Sequence, residues 1–329
     1  MTPPHCLGRC SFDAAALDRD HPPVFKHAHK RLVYARAMAS GPPRGTIDYA
    51  RFDEPPLPAE LPTDVPRVEV REDVFGYGPE GDGAVPWYLN FAHTVLFVAY
   101  GGPLLAQDEL QVLEHPALGS IREALKGNND PGLRPVTRDA GRATPVLLSG
   151  VERRCALATD PDASAGRPLG LYGNQFGRAR TEAVLGALRV LDPPTRSNLV
   201  AMEAPPGGAG PYTRSQIEGV LRTAHAGFAA VRAETERLAP GARAVLHTGH
   251  WGTGAYGGDR VLMALVQLVA ARLAGLESVV FHTVSPDGSP PVHAARDRLV
   301  TLGGAGRPTD DVLDAIVAMG FVWGQSDGN

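Results

Sequence analysis

The sequence is poor in cysteine, in long apolar runs and in blocks of basic residues. Its three cysteines, Cys6, Cys10 and Cys155, cannot all pair with one another, which favours a reducing compartment, the cytoplasm. A run of about twenty apolar residues is missing, as is a basic-then-apolar start, so neither a membrane span nor a signal peptide is predicted. The net charge is −4 with no basic block, which argues against duplex nucleic acid as a partner.

What the chain does have is enough apolar sequence for one large α/β domain, at 43% of 329 residues. Five prolines lie between Glu54 and Pro66 and predict an extended connector. We therefore divide the chain into an N-terminal extension with a proline-rich connector, residues 1–66, and a main domain, residues 67–329.

Apolar periodicity predicts strands that alternate with helices. Apolar or alternating runs predict strands at 32–37, 67–71, within 87–99, and at 145–148, 183–191, 242–247 and 278–283. Helical spacing predicts helices at 104–113, 259–274 and 309–319. Another helix is predicted to begin at Thr213, where Thr213 and Gln216 can form a capping box. This order predicts a mixed or parallel sheet sandwiched by helices.

The most informative stretch runs from Thr248 to Asp259 and reads T-G-H-W-G-T-G-A-Y-G-G-D, with five glycines in twelve residues. It follows a predicted strand and leads into a predicted helix. Such a turn presents unpaired backbone N–H groups and the positive end of the helix dipole, an arrangement that binds phosphate. The alternative is a tight turn without a ligand, but glycines interleaved with Trp251 and Tyr256 favour a binding loop.

This stretch resembles the corresponding loop of poly(ADP-ribose) glycohydrolases, a macrodomain family with the pattern T-G-N-W-G-C-G-A-F-G-G-D. In a second block the family reads D-F-A-N, a triple glycine and then Q-E-E. Here residues 90–93 read N-F-A-H and are followed at the same distance by Gln107, Asp108 and Glu109. The resemblance implies a divergent member of the family, with a macrodomain-like mixed sheet sandwiched between helices and an N-terminal extension.

The resemblance also implies a reaction, the hydrolysis of an O-glycosidic ribose bond without a cofactor. Glu109 stands at the position of the general acid, which protonates the leaving ribose oxygen and then activates water. Asp108 stands at the position of a glutamate that holds a ribose hydroxyl, and is the second predicted catalytic residue. Without the resemblance, these residues would be interpreted as the acidic first turn of a helix.

A predicted binding surface for ADP-ribose, poly(ADP-ribose) or a related nucleotide follows from the same alignment. Its residues are Gln107, Asn90, His93, Glu80, His250, Trp251, Gly252, Thr253, Gly254, Ala255, Tyr256 and Gly257.

Three departures from the family pattern bear on this hypothesis. The triple glycine aligns with Phe97, Val98 and Ala99, whose side chains either enter the space of a ribose or push the loop elsewhere. The stretch 151–157, where the family carries aromatic residues that stack on adenine, contains none. Two family asparagines are replaced by His93 and His250, which are interpreted as acid–base groups, as metal ligands beside the acidic residues, or as neutral hydrogen-bonding groups.

Three functions are compatible with these patterns. The first is a glycohydrolase that acts on poly(ADP-ribose) or a related ADP-ribosyl conjugate through Glu109. The second is a catalytically inactive macrodomain that binds ADP-ribose. The third is a macrodomain repurposed for another nucleotide or phosphosugar.

Overall fold

A mixed sheet of eight strands organises the computed structural model, which describes residues 3–204 and 206–328. The strands of this sheet are β1 (Cys6–Asp13), β2 (Thr46–Phe52), β3 (Arg67–Arg71), β4 (Ala84–Ala92), β7 (Val146–Leu157), β8 (Leu188–Glu203), β9 (Arg243–Thr248) and β10 (Ser278–His282). A separate hairpin consists of β5 (Arg138–Asp139) and β6 (Arg142–Ala143). The strand order in the large sheet is β1-β2-β7-β8-β4-β9-β10-β3.

Helices cover both faces of this sheet. They are α1 (Ala14–Asp20), α2 (Ala28–Ala37), α3 (Gln107–Glu114), α4 (Ala117–Leu125), α5 (Gln175–Arg178), α6 (Thr181–Ala187), α7 (Arg214–Leu238), α8 (Arg260–Ala274), α9 (Ser289–Thr301) and α10 (Thr309–Ala318). Along β8, Val200 and Met202 pack with α7 to α10, whereas Leu199 and Ala201 pack with α1 to α6. This alternation between the two faces produces one hydrophobic core on each side of the sheet.

The strand directions decide where a ligand site forms. Strand β4 is parallel to β8 and to β9, and β9 is parallel to β10. The carboxyl ends of these four strands therefore lie at one edge of the sheet, where loops of open α/β sheets bind ligands. The glycine loop (residues 249–259) follows β9, and the loop 93–106 follows β4.

Most of the predicted elements of the main domain are confirmed to within a few residues. Strands β3, β9 and β10 and helices α8 and α10 lie where the patterns predict them. Helix α7 follows the predicted capping box, in which the Gln216 N–H donates to the Thr213 hydroxyl at 3.3 Å. The mixed sheet between two helical layers confirms the predicted fold class.

Two strand predictions are wrong. Residues 32–37 belong to α2, because Val33 and Ala37 are buried at helical spacing with His29 and Lys30. Residues 183–187 form α6, and the strand begins only at Leu188. A short apolar run does not distinguish a strand from a buried helix, which explains both errors.

The extension preceding residue 66 contributes two strands to the sheet. Strand β1 pairs with β2, and β2 pairs with β7, both antiparallel. The domain boundary at residue 66 stays a prediction. Within the described residues, no helix has both the length and the apolar character that crossing a membrane requires.

Candidate functional site

The glycine loop and the start of α3 meet at the carboxyl edge of the sheet, because β9 and β4 are adjacent and parallel. The ionisation of Tyr256, in the glycine loop, is affected by charges on the other side of the site. Burial raises the pKa of Tyr256, and the negative charges of Glu203 and Asp108 raise it further. Tyr256 therefore lies within electrostatic reach of Asp108. We define Asp108 and Glu109 as the acid pair.

The glycine loop leaves several backbone donors without an acceptor in the described part of the chain. Gly252 and Gly257 adopt positive φ angles of 76° and 64°, which side chains disfavour. In the described part of the chain, no hydrogen bond is donated by the backbone N–H groups of Gly252, Gly254, Ala255 and Tyr256. Unpaired backbone N–H groups of this kind are the donors that a phosphate or carboxylate oxygen requires.

Two side chains of the glycine loop hold the loop rather than project from it. Trp251 is fully buried, and its indole N–H donates to the Met202 carbonyl at 3.3 Å. The Thr253 hydroxyl donates to the His250 carbonyl at 2.9 Å. From below, the Gln267 amide of α8 donates to the Gly249 carbonyl at 3.2 Å. The loop thus offers its backbone to a ligand, while its large side chain belongs to the core.

The acid pair is buried at the first turn of α3, with Asp108 7% and Glu109 4% exposed. The Asn90 amide donates to Asp108 at 3.0 Å, and the Ala106 N–H donates to Glu109 at 3.0 Å. Burial raises the pKa of both carboxyls, and the charge of Glu109 raises that of Asp108 further. A carboxyl that retains its proton towards neutral pH is suited to general acid catalysis.

Gln107 connects α3 to the sheet. Its side-chain amide donates to the Leu89 carbonyl at 2.9 Å, and its oxygen accepts the Phe91 N–H at 2.8 Å. Both hydrogen bonds are to the backbone of β4. Gln107 therefore fixes the distance between β4 and the acid pair.

A lysine that the sequence did not single out lies beneath the acid pair. Lys30, on α2, is fully buried and donates to the carbonyls of Tyr100 and Leu104 at 2.8 and 2.6 Å. Burial lowers the pKa of Lys30 to about 8, although the charges of Glu109 and Asp108 act to raise it. No motif signals Lys30, because its importance depends on contacts with residues seventy positions away.

The two histidines that replace family asparagines have different surroundings. His93 is exposed, and its Nδ1 accepts the Val95 N–H at 3.1 Å within a turn. His250 donates from Nε2 to the Gly288 carbonyl at 3.1 Å, and burial lowers its pKa to about 4. Among the described residues, no group of three or more His, Cys, Asp or Glu side chains is arranged to hold a metal ion. The geometry favours the interpretation of His250 as a neutral hydrogen-bonding group.

If the chain releases ADP-ribose from conjugates, as the resemblance implies, replacing His250 with Asn is expected to leave the pH profile of kcat/KM for that reaction unchanged in shape between about pH 5 and pH 8, with a rate within about threefold of wild type. The imidazole is neutral in this range because its pKa lies near 4. Asparagine is likewise neutral in this range, although its shorter side chain does not reach as far as Nε2. Loss of a limb of the profile in this variant would instead assign His250 an acid–base role.

The segment aligned with the family's triple glycine keeps one glycine-like feature. Phe97 has a φ of +54°, a conformation that L-residues rarely adopt, and its side chain is fully buried in the core beside α1 to α6. Val98 is 46% exposed, and Ala99 is exposed as well. The Phe97 ring therefore fills the core rather than an open cleft.

Phe97→Gly is expected to be more stable than Phe97→Ala by about 1 kcal/mol, although both should lose roughly 3–5 kcal/mol relative to wild type. Glycine relieves the positive φ that alanine retains. Urea unfolding measures the difference. The control pair Phe176→Gly and Phe176→Ala, at a buried position of helix α5, should show the opposite order. The same order at both positions would contradict the strain at Phe97.

Two stretches that the family alignment places near adenine have defined surroundings in this structure. The strand expected to end near Gly150 continues to Leu157, so residues 151–157 are sheet rather than a loop that could carry stacking aromatics. Glu80 is engaged by Arg71 at 2.8 Å and lies 3.3 Å from Nε2 of His247. Its role in substrate binding stays a prediction.

Comparison with known proteins agrees with the resemblance seen in the sequence. A family model described as poly(ADP-ribose) glycohydrolase (PARG), macro domain fold, matches residues 191–288, which include the glycine loop. This match confirms the predicted resemblance and supports the macrodomain-like fold class. The acid pair lies outside the matched segment. No curated protein matches the chain.

Among solved structures, the chain is similar to poly(ADP-ribose) glycohydrolase from Thermomonospora curvata, with 18% identity, 89% of this chain and 85% of that chain covered, and a TM-score of 0.41. A structure of the Thermomonospora curvata protein bound to the inhibitor ADP-HPD gives 20% identity, 70% and 78% coverage, and a TM-score of 0.41. The protein from Deinococcus radiodurans in complex with ADP-ribose gives 15% identity, 90% and 96% coverage, and a TM-score of 0.41.

Proposed function

We propose that this chain, whose residues 191–288 match the poly(ADP-ribose) glycohydrolase family, is an ADP-ribosyl glycohydrolase. Its substrate would be poly(ADP-ribose) or another conjugate in which the ribose is linked through oxygen. The observation that carries the proposal is the adjacency of β4 and β9, which brings the acid pair and the glycine loop to the same edge. A ligand with a diphosphate and a ribose would use both features.

In the proposed reaction, Glu109 begins in its protonated form. Its proton passes to the leaving oxygen as the glycosidic C–O bond breaks, which leaves an oxocarbenium-like ribose. The resulting carboxylate removes a proton from water, and the hydroxide oxygen bonds to the anomeric carbon. The pKa of Glu109, raised by burial, supports the first step because it favours the protonated form.

The remaining groups orient the substrate in this proposal. Asp108, held by Asn90, would accept a hydrogen bond from a ribose hydroxyl. The unpaired N–H groups at Gly252, Gly254, Ala255 and Tyr256 would bind the diphosphate. The diphosphate would also stabilise the positive charge that develops on the ribose.

The burial of Glu109 also supports a second candidate, a macrodomain that binds ADP-ribose without hydrolysis. Glu109 is only 4% exposed, and its carboxylate already accepts the Ala106 N–H. A group so engaged serves as a helix cap as readily as an acid.

Two measurements on the wild-type protein separate these candidates. ADP-ribose release is measured from poly(ADP-ribose) and from a peptide with serine-linked ADP-ribose, and ADP-ribose binding is measured by calorimetry. Release from either substrate supports the glycohydrolase, and binding without release supports the inactive binding module. No binding at millimolar ADP-ribose contradicts both.

A further inference from the structure

The segment Gly324–Gly328 lies across the glycine loop. The Gly324 N–H donates to the Gly257 carbonyl at 2.8 Å, and the Asp327 N–H donates to the Gly254 carbonyl at 3.3 Å. These two hydrogen bonds hold the segment alongside the glycine loop between Gly257 and Gly254. The backbone that we propose to bind phosphate is therefore already in contact with another part of the same chain.

The contact is close enough that a side chain at these loop positions would crowd the segment. A Cβ atom on Gly257 would lie 3.0 Å from the carbonyl carbon of Gln325 and 3.0 Å from the nitrogen of Ser326. A Cβ atom on Gly254 would lie 3.0 Å from Oδ2 of Asp327. The Asp327 carboxylate thus lies against the backbone of Gly254, whose N–H donates no hydrogen bond within the described residues. A carboxylate and a phosphate compete for the same kind of backbone donor.

The far end of the segment reaches the side of the site that holds the acid pair. The Asn174 amide donates to the Gly328 carbonyl at 2.9 Å, and the neighbouring Gly173 N–H donates to the Leu105 carbonyl at 2.9 Å. Burial raises the pKa of Tyr172 to about 12, and the charges of Asp327 and Glu109 both contribute. The segment therefore extends from the glycine loop to residues 173–174, which pair with Leu105 two residues before α3.

Trp323, directly before the segment, is anchored to the rest of the protein. The Trp323 ring stacks on Tyr212 at a centroid distance of 4.1 Å, and the Trp323 N–H donates to the Gly210 carbonyl at 2.9 Å. The Tyr212 hydroxyl in turn accepts the Asp259 N–H at 3.0 Å, at the start of α8. The contacts of Gly324–Gly328 with the rest of the described chain are polar and lie outside both hydrophobic cores, so the segment can leave the site while this anchor stays in place.

We propose that the segment Gly324–Gly328 is an intramolecular competitor that closes the ligand site, with the Asp327 carboxylate in place of a phosphate group on the glycine loop. The inference rests on the proposed function in that the displacing ligand is ADP-ribose. A ligand that binds only the open form has its apparent affinity reduced by the fraction of molecules that are open. Weakening the closed form therefore strengthens binding without any new contact.

The test compares ligand affinity in Asp327→Asn and Asp327→Ala with wild type, by calorimetry with ADP-ribose. Both variants remove the negative charge, and the alanine variant also removes the side-chain contact. We expect the dissociation constant to fall about three- to tenfold in Asp327→Asn and at least as much in Asp327→Ala. Asp297→Asn, an exposed position on α9, makes the same change in net charge and should alter affinity less than about twofold.

Hydrogen exchange provides the second readout. The amides of Gly324 and Asp327 should be protected in the free protein and should lose protection when ADP-ribose is added. Unchanged affinity in both Asp327 variants, or amides that become more protected with ligand, would overturn the proposal. The second outcome would make the segment a lid over the ligand rather than its competitor.

Sodium pyrophosphate as a second probe keeps this proposal separate from the proposed function. If ADP-ribose binds to none of the proteins, the proposed function fails. Competition by the segment Gly324–Gly328 still predicts tighter pyrophosphate binding in Asp327→Asn than in wild type. Equal or absent pyrophosphate binding in the two proteins would then overturn the competitor as well.

Discussion

Replacing Glu109 with Gln is expected to slow ADP-ribose release by a factor of about 10²–10⁴, because the only group proposed to protonate the leaving oxygen is lost. The affinity for ADP-ribose should stay within about threefold of wild type. Glutamine keeps an oxygen that can accept the Ala106 N–H, so the first turn of α3 should persist. Single-turnover release, calorimetry and a thermal melt measure the three quantities.

The matched control is Glu182→Gln, which makes the same chemical change on α6 at a side chain that is 82% exposed. Its release rate should equal that of wild type. If Glu109→Gln releases ADP-ribose as fast as the control, Glu109 is not the general acid. If Glu109→Gln loses both ADP-ribose binding and its thermal unfolding transition, the Glu109 carboxyl is required for the fold.

Replacing Lys30 with Met is expected to destabilise the protein by about 3–5 kcal/mol, because a buried cation within electrostatic reach of Asp108 and Glu109 is lost. The Tyr100 and Leu104 carbonyls lose their donors in the same change. Urea unfolding measures the loss. Lys126→Met, at a side chain that is 69% exposed, is the control and should change the stability by less than about 0.5 kcal/mol.

The Lys30 variant should also respond differently to pH. The positive charge of Lys30 lowers the pKa of Asp108 and Glu109, so its removal raises both further. A carboxyl whose pKa is higher in the folded state contributes stability that is present at low pH and is lost as the pH rises through that pKa. The loss of unfolding free energy in Lys30→Met, relative to wild type, should therefore be smallest at acidic pH. A deficit independent of pH would contradict coupling between Lys30 and the acid pair.

Local sequence patterns were sufficient to predict the glycine loop and the elements on either side of it. The glycine loop, the strand before it and helix α8 are continuous in the chain, and the helix begins at Asp259, whose carboxylate accepts the Leu262 N–H at 2.8 Å. Five glycines in twelve residues are an unusual composition, and the positive φ angles of Gly252 and Gly257 show why two of them are needed. The fold class is confirmed for the same reason, since regular alternation is a local signal.

Contacts between distant parts of the chain could not be predicted in this way. Lys30 lies in a polar stretch without a motif, and only the packing of α2 brings it beneath loop 93–106. The position of Asp327 on the glycine loop likewise depends on the anchor at Trp323. Side-chain volume alone predicts that Phe97 enters the space of a ribose or displaces the loop. Its positive φ and its burial instead place the ring in the hydrophobic core.

Hydrogen exchange during a titration with ADP-ribose tests most directly whether the glycine loop and the acid pair bind one ligand. The amides of Gly252 and Gly254 and those of Asp108 and Glu109 should become protected together, with a single dissociation constant that agrees with calorimetry. This result is expected because β4 and β9 bring both sets of residues to one edge of the sheet. Protection of only one set, or of neither at millimolar ADP-ribose, would contradict a shared site.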